Sequence, residues 1–183
     1  MTETHFAQNP TCDWLSFVAF TEDNHYRIGF PTSLEIKDLT LRSLFGMPAS
    51  FPATAFRKSR FTEEFHPQLR AGVDCDWVRR NLETNPMLRG DLVQYPVVYY
   101  RIHDDQLSAV YHRQQIEARS ALIAQSYGRI IGTLSDDDRR WIKVLSDNQE
   151  INTDEKRSLT RWMANLLHQN NKAKVYPLSL IHI

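Results

Sequence analysis

The chain lacks most of the features that announce a function. It has two cysteines, Cys12 and Cys75, in 183 residues. That is too few for a disulfide scaffold, and they lack the C-x-x-C spacing of a zinc knuckle. The six glycines are too scattered for a Walker loop or a G-x-G-x-x-G turn, and no serine sits in a Gly-x-Ser-x-Gly elbow. Charge of one sign is also missing: Lys+Arg and Asp+Glu both number 22, for a formal net charge of zero. A neutral chain has no global field for duplex DNA or an anionic membrane, where neutralising phosphates dominates affinity. No apolar run approaches the ~18 residues that would span a bilayer, so no membrane is expected. The opening Met-Thr-Glu-Thr-His-Phe-Ala-Gln-Asn-Pro has neither the basic nor the apolar region of a signal peptide. A reducing, cytoplasmic setting follows from unpaired cysteines, and nothing in the composition opposes export without a cleaved signal.

What is present is patterning. The apolar fraction is 42%, enough for a real core, and the length suits one domain. There is no repeat, low-complexity tract or Gly/Ser linker. The expected division is a flexible N-terminus over 1–12, a single α+β domain over 13–177, and a doubtful tail over 178–183. Trp14–Phe20 and His25–Phe30 are rich in aromatic and β-branched residues, and Thr21-Glu22-Asp23-Asn24 between them predicts a hairpin. Leu34-Glu35-Ile36-Lys37 alternates as a short third strand. Asp38 then caps a short helix carrying Leu41, Leu44 and Phe45, which closes at Gly46. Residues 46–73, with Pro48, Pro52, Pro67 and Gly72, form the least regular stretch; such a length inside a domain implies function or hidden short elements.

Downstream, Asp74 is expected to cap a helix that presents Trp77, Val78 and Leu82 on one face and ends at Asn85-Pro86. Tyr95–Ile102 is the strongest strand, and Leu107–His112 is expected to return beside it across His103-Asp104-Asp105-Gln106. The C-terminal third is the most legible. Ile116, Ser120, Ile123, Tyr127, Ile130 and Leu134 recur at helical spacing. Ser135 before three aspartates reads as an N-cap with an acidic first turn, opening a helix with Trp141, Ile142, Val144 and Leu145. Thr153 with Asp154 and Glu155 starts another, on which Leu159, Trp162, Met163, Leu166 and Leu167 form one apolar face. The predicted architecture is α+β: N-terminal antiparallel strands and hairpins packed against a C-terminal group of three amphipathic helices.

Three groups of residues have chemistry to offer. Cys75, at the start of its helix, sits where the dipole lowers a thiol pKa, and His66 upstream is the candidate base. Asp74 and Asp76 oppose this by disfavouring a thiolate. His103 and Asp104, with His112 facing them across the expected hairpin, are candidate metal ligands; an ordinary polar turn explains the same residues. Phe56-Arg57-Lys58-Ser59-Arg60-Phe61 interleaves cations with aromatics as single-stranded nucleic-acid binders do, but Glu63 and Glu64 blunt its field. Arg89-Gly90-Asp91 matches an adhesion tripeptide by letter and reads as a turn into the following strand.

The chain closes on Leu178-Ser179-Leu180-Ile181-His182-Ile183, read as a closing strand or as a non-native extension. LSLIHI resembles the translation of a sequencing adapter, and on the second reading the native chain continues past about Pro177. On balance the sequence points to a non-catalytic interaction or accessory domain, such as the N-terminal part of a larger bacterial protein. It would have a protein partner and no cofactor. The alternatives are a cysteine- or His/Asp-dependent enzyme and a single-stranded nucleic-acid-binding module.

Overall fold

The computed structural model describes residues 2–21, 26–27, 43, 47–101, 103–147 and 149–176. The elements in chain order are α1 (Thr2–Gln8), β1 (Trp14–Thr21), β2 (Tyr26–Arg27), a 3-10 turn at Phe51–Ala53, β3 (Thr54–Phe56) and a second 3-10 turn at Lys58–Arg60. Then follow α2 (Val73–Thr84), β4 (Gly90–Tyr100), α3 (Leu107–Val110), α4 (His112–Ile131), α5 (Asp136–Asp147) and α6 (Thr153–Ala173). A four-stranded mixed sheet occupies the N-terminal half and the long helices the C-terminal half, as the α+β reading predicts.

β1 is the central strand. It carries no charge along Trp-Leu-Ser-Phe-Val-Ala-Phe-Thr, because both of its faces are covered and a buried charge would be costly. β4 runs parallel along one edge, from Trp14↔Gly90 to Thr21↔Tyr100. On the other edge β3 pairs antiparallel at Trp14↔Phe56, and β2 pairs antiparallel at Ala19↔Arg27. The β1–β2 hairpin is therefore present as expected. Its turn, the strand expected at 34–37 and the helix expected after Asp38, apart from the helical Ser43, lie outside the described residues.

Alternation along β1 splits the sheet's packing in two. Trp14 joins Phe61, Trp77, Val78, Leu82 and Leu88 on the side covered by α2. Leu15, Phe17 and Ala19 turn the other way, onto Cys12 and Ala53, with Phe6, Val93 and Val98 at the margin. The irregular stretch does hide short elements. Its strap at Glu63 is tied to α2 by the Trp77 indole donating to Glu63 O (2.6 Å) and by Glu63 N–H donating to Asn81 Oδ1 (3.2 Å).

Four local expectations need correction. The residue capping α2 is Gly72, not Asp74. Gly72 has a left-handed φ of 66°, which favours glycine, and a Cβ there would lie 3.2 Å from the Ala118 Cβ, a tight contact. β4 begins at Gly90, well before Tyr95, because the ladder with β1 holds residues whose own β character is weak. The return strand at 107–112 does not form. The Gln106 carbonyl instead accepts the N–H groups of Ala109 (2.9 Å) and Val110 (3.0 Å), and the chain coils into α3 and on into α4. The N-terminal residues expected to fray open instead with α1, which is held against β4 through His5 and Asp91.

The C-terminal helices follow their patterns. Ile123, Tyr127 and Ile130 are buried on α4 against Ile142 of α5 and Leu166 of α6. Ser135 and Asp138 exchange reciprocal hydrogen bonds at the start of α5, with Ser135 N–H donating to Asp138 Oδ2 (2.8 Å) and Asp138 N–H to Ser135 Oγ (3.2 Å). Asn152 caps α6 in a full capping box with Glu155, one residue before the expected start at Thr153. These helices were expected to meet the sheet. Among the described residues, however, the hydrogen bonds and ion pairs joining the two halves all run to the polar face of α2. Buried Arg79 donates to Gln125 Oε1 (2.7 Å) and Ser126 Oγ (3.2 Å) of α4, Arg129 pairs with Glu83 (2.6 Å), and the Tyr176 hydroxyl reaches Glu83 (3.3 Å).

Candidate functional site

The fold keeps the sequence-predicted site residues largely apart. Cys75 is the third residue of α2, half-buried, and burial followed by the neighbouring Asp74 carboxylate pushes its thiol up to about 12. His66 is exposed and turns its Nδ1 to Asp76 Oδ2 at 3.5 Å. No hydrogen bond joins it to Cys75 among the described residues. His103 and Asp104 are exposed in the turn after β4, while His112 is the first residue of α4 and also exposed. With no hairpin to oppose them, they do not gather their ligand atoms into one cluster.

The Phe56–Phe61 segment is spent on structure. Phe56 and Phe61 pack edge-to-face at 4.8 Å, and Phe61 stacks on Trp77 at 5.2 Å. Arg57 lies over the Phe6 ring at 5.0 Å and donates to Phe6 O and Cys12 O, both at 3.2 Å. Arg60 binds Asp13 Oδ1 at 3.1 Å. Of the three cations, Arg60 alone makes an ion pair among the described residues.

Two other places carry chemistry or surface that no spacing in the sequence revealed. At the first, His5 from α1, Cys12 from the turn before β1 and Asp91 from the start of β4 converge. Their ligand atoms all lie within 4.8 Å of one another, the only such group of three or more His, Cys, Asp or Glu among the described residues. His5 Nε2 is 3.0 Å from Asp91 Oδ2. Cys12 is buried, and burial first, then Asp91, pushes its thiol up to about 12. As it stands this thiol is a poor nucleophile at neutral pH, since the thiolate is the reactive form. The backbone around it is ordered by its own hydrogen bonds. Asn9 N–H (2.8 Å) and Asn9 Nδ2 (3.0 Å) both donate to His5 O, and Cys12 N–H donates to Asn9 O (3.0 Å).

The second place is the outer face of β4. Tyr95, Val97 and Tyr99 are 59%, 43% and 64% exposed. Exposure alternates along this segment, with Pro96 and Val98 less exposed between them. Among the described residues β4 pairs only with β1. Leu107 and Val110 on α3 are also exposed. The strand is irregular at its middle: the register passes from Phe17↔Val93 to Val18↔Pro96 and then to Ala19↔Val98. Pro96 has no N–H to give to a ladder, so the strand bulges around it.

The fold and these two places define a mixed α+β protein with an exposed edge strand and a His–Cys–Asp cluster. Compared with protein-family models, curated proteins and solved structures, the chain shows no significant match to any. No helix among the described residues is long and apolar enough to cross a membrane.

Proposed function

We propose that the chain is a non-catalytic interaction domain that binds a protein partner through the outer face of β4. The observation carrying this reading is the row of Tyr95, Val97 and Tyr99, large apolar side chains on an edge strand. Proteins normally blunt such edges with charge, proline or a covering element, because an open apolar edge recruits other chains. Tyrosine suits a surface that is wet alone and buried in a complex, since its ring packs and its hydroxyl finds a hydrogen-bond partner. The partner surface expected is an uncharged, extended segment that lies against these rings.

The test is a photo-crosslinking residue placed at Val97 in the full chain, in its native cells, with a second at exposed Lys143 of α5 as the reference position. A discrete adduct at 97 and none at 143 is the expected outcome. Tyr95→Ser with Tyr99→Ser should keep the far-ultraviolet circular dichroism and weaken the adduct at least about tenfold, the effect of losing ~1.4 kcal/mol at an interface. No adduct at 97, or equal labelling at both positions, removes the proposal.

A further inference from the structure

The geometry points to a mononuclear zinc-class metal site held by His5 through an imidazole nitrogen, Cys12 through Sγ and Asp91 through a carboxylate oxygen. This inference is independent of the interaction surface on β4. The donor set is mixed nitrogen, sulfur and oxygen, which suits Zn2+ and Co2+; hard Mg2+ and Ca2+ take oxygen alone. Metal–ligand bonds of about 2.0–2.3 Å in a tetrahedron place neighbouring donors roughly 3.3–3.8 Å apart. The three donors already lie within 4.8 Å of one another, and His5 Nε2 and Asp91 Oδ2 are at 3.0 Å. Adjustment of about an ångström therefore completes the triangle, and the side chains free to make it are the ones with room. The Asp91 and His5 side chains are 48% and 22% exposed, whereas Cys12 is fixed.

The support around the ligands is that of an ordered site. The hydrogen bonds of Asn9 fold the chain from His5 back to Cys12, and the Arg57 guanidinium spans both ends of that fold through Phe6 O and Cys12 O. Asp91 is held in the β1–β4 ladder opposite Leu15. Three protein ligands leave a fourth position for water, which in zinc proteins marks a site open to exogenous ligands. Bound metal would join α1, the entry to β1 and the start of β4, three segments otherwise linked there by hydrogen bonds.

The experiment is a titration of the full chain with Co2+, followed by the near-ultraviolet thiolate-to-cobalt charge-transfer band, and then competition with Zn2+. One equivalent per chain is expected, displaced by zinc. Cys12→Ser should abolish the band. His5→Gln and Asp91→Asn should each weaken cobalt binding by more than about a hundred-fold, beyond the about 10–100-fold that loss of an outer-shell partner costs. Cys75→Ser and the His103→Ala/His112→Ala pair should bind as the unaltered chain does. Absence of a stoichiometric band in the unaltered chain overturns the site whatever the variants do. So does a band that survives Cys12→Ser and disappears with Cys75→Ser. Should Cys12→Ser not fold, Asp91→Asn decides: undiminished affinity in that variant overturns the proposal.

Discussion

In the helical half, Ile123, Tyr127, Ile130, Ile142 and Leu166 meet across short connections between α4, α5 and α6. In the sheet half, Trp14 meets Phe61, Trp77 and Leu88, partners that come from well-separated parts of the chain and are brought together by the pairing of β1 with β4. The first core is built from local periodicity and local caps. The second exists only once a parallel ladder between distant segments has formed, at the loop-closure cost that such pairing carries. Between them lies a charged seam on α2, where Arg79, Arg80, Asp76 and Glu83 interlock. The difference teaches where this molecule is vulnerable. The sheet half concentrates its stability in a few large aromatic side chains, whereas the helical half spreads it over many moderate contacts.

The sharpest way to break the comparison is Trp77→Ala. This ring stacks on Phe61 (5.2 Å) and Phe65 (4.8 Å) and donates to Glu63 O, so its removal should cost about 3–5 kcal/mol in urea unfolding. A loss under 1 kcal/mol would contradict the aromatic core as described. Next comes Arg79→Ala, which strips a buried cation from the seam. Breaking a buried pair costs about 3–5 kcal/mol, and the low end is expected because Asp76 keeps Arg80 and Glu83 keeps Arg129. Tryptophan fluorescence and far-ultraviolet circular dichroism should then cease to coincide as the two halves unfold apart. Coincident curves would place their coupling elsewhere.

A smaller effect is expected within the helical half. Asn152→Ala removes the side-chain acceptor for Asp154 and Glu155 N–H and should cost about 1 kcal/mol, read as a lower unfolding midpoint. The smallest concerns pH. Burial alone would raise the Asp138 carboxyl, but hydrogen bonds from Ser135 and the Trp162 indole outweigh it and hold it below its ordinary value. A depressed acid stabilises the fold above its unfolded pKa, and that contribution is lost as pH falls through the lower folded value. Stability should therefore decline on acidification below about pH 4, and by less in Asp138→Asn than in the unaltered chain. Equal declines would show that this carboxylate contributes nothing.

Helices α4 to α6 were legible because their information is local: apolar residues at steps of three and four, Ser135 before its aspartates, and Glu155 placed to close a capping box. The β1–β2 hairpin was legible for the same reason. Pairing of β1 with β4 was not, since alternation in Tyr95–Tyr100 says nothing about which strand lies beside it. The strand predicted at Leu107 failed because apolar spacing over four residues fits a helical turn as well as a strand. His5, Cys12 and Asp91 escaped notice because three segments deliver them and no fixed spacing relates them. The residues that drew attention instead, Cys75 with His66 and the Arg57–Arg60 run, did so for their chemistry by letter. The fold assigns Arg57 and Arg60 to clamping the start of β1.

The bulge around Pro96 bears on how selective the exposed edge of β4 is. A strand of uniform rise laid along it falls out of step at the point where β4 gains residues on β1, and finds no donor at Pro96. Stacking of identical regular strands, the route to fibres, is therefore discouraged along an edge whose tyrosines would otherwise invite it. For the partner proposed above, a chain with a matching irregularity fits this edge better than a regular strand, so the choice would turn on rhythm as well as composition.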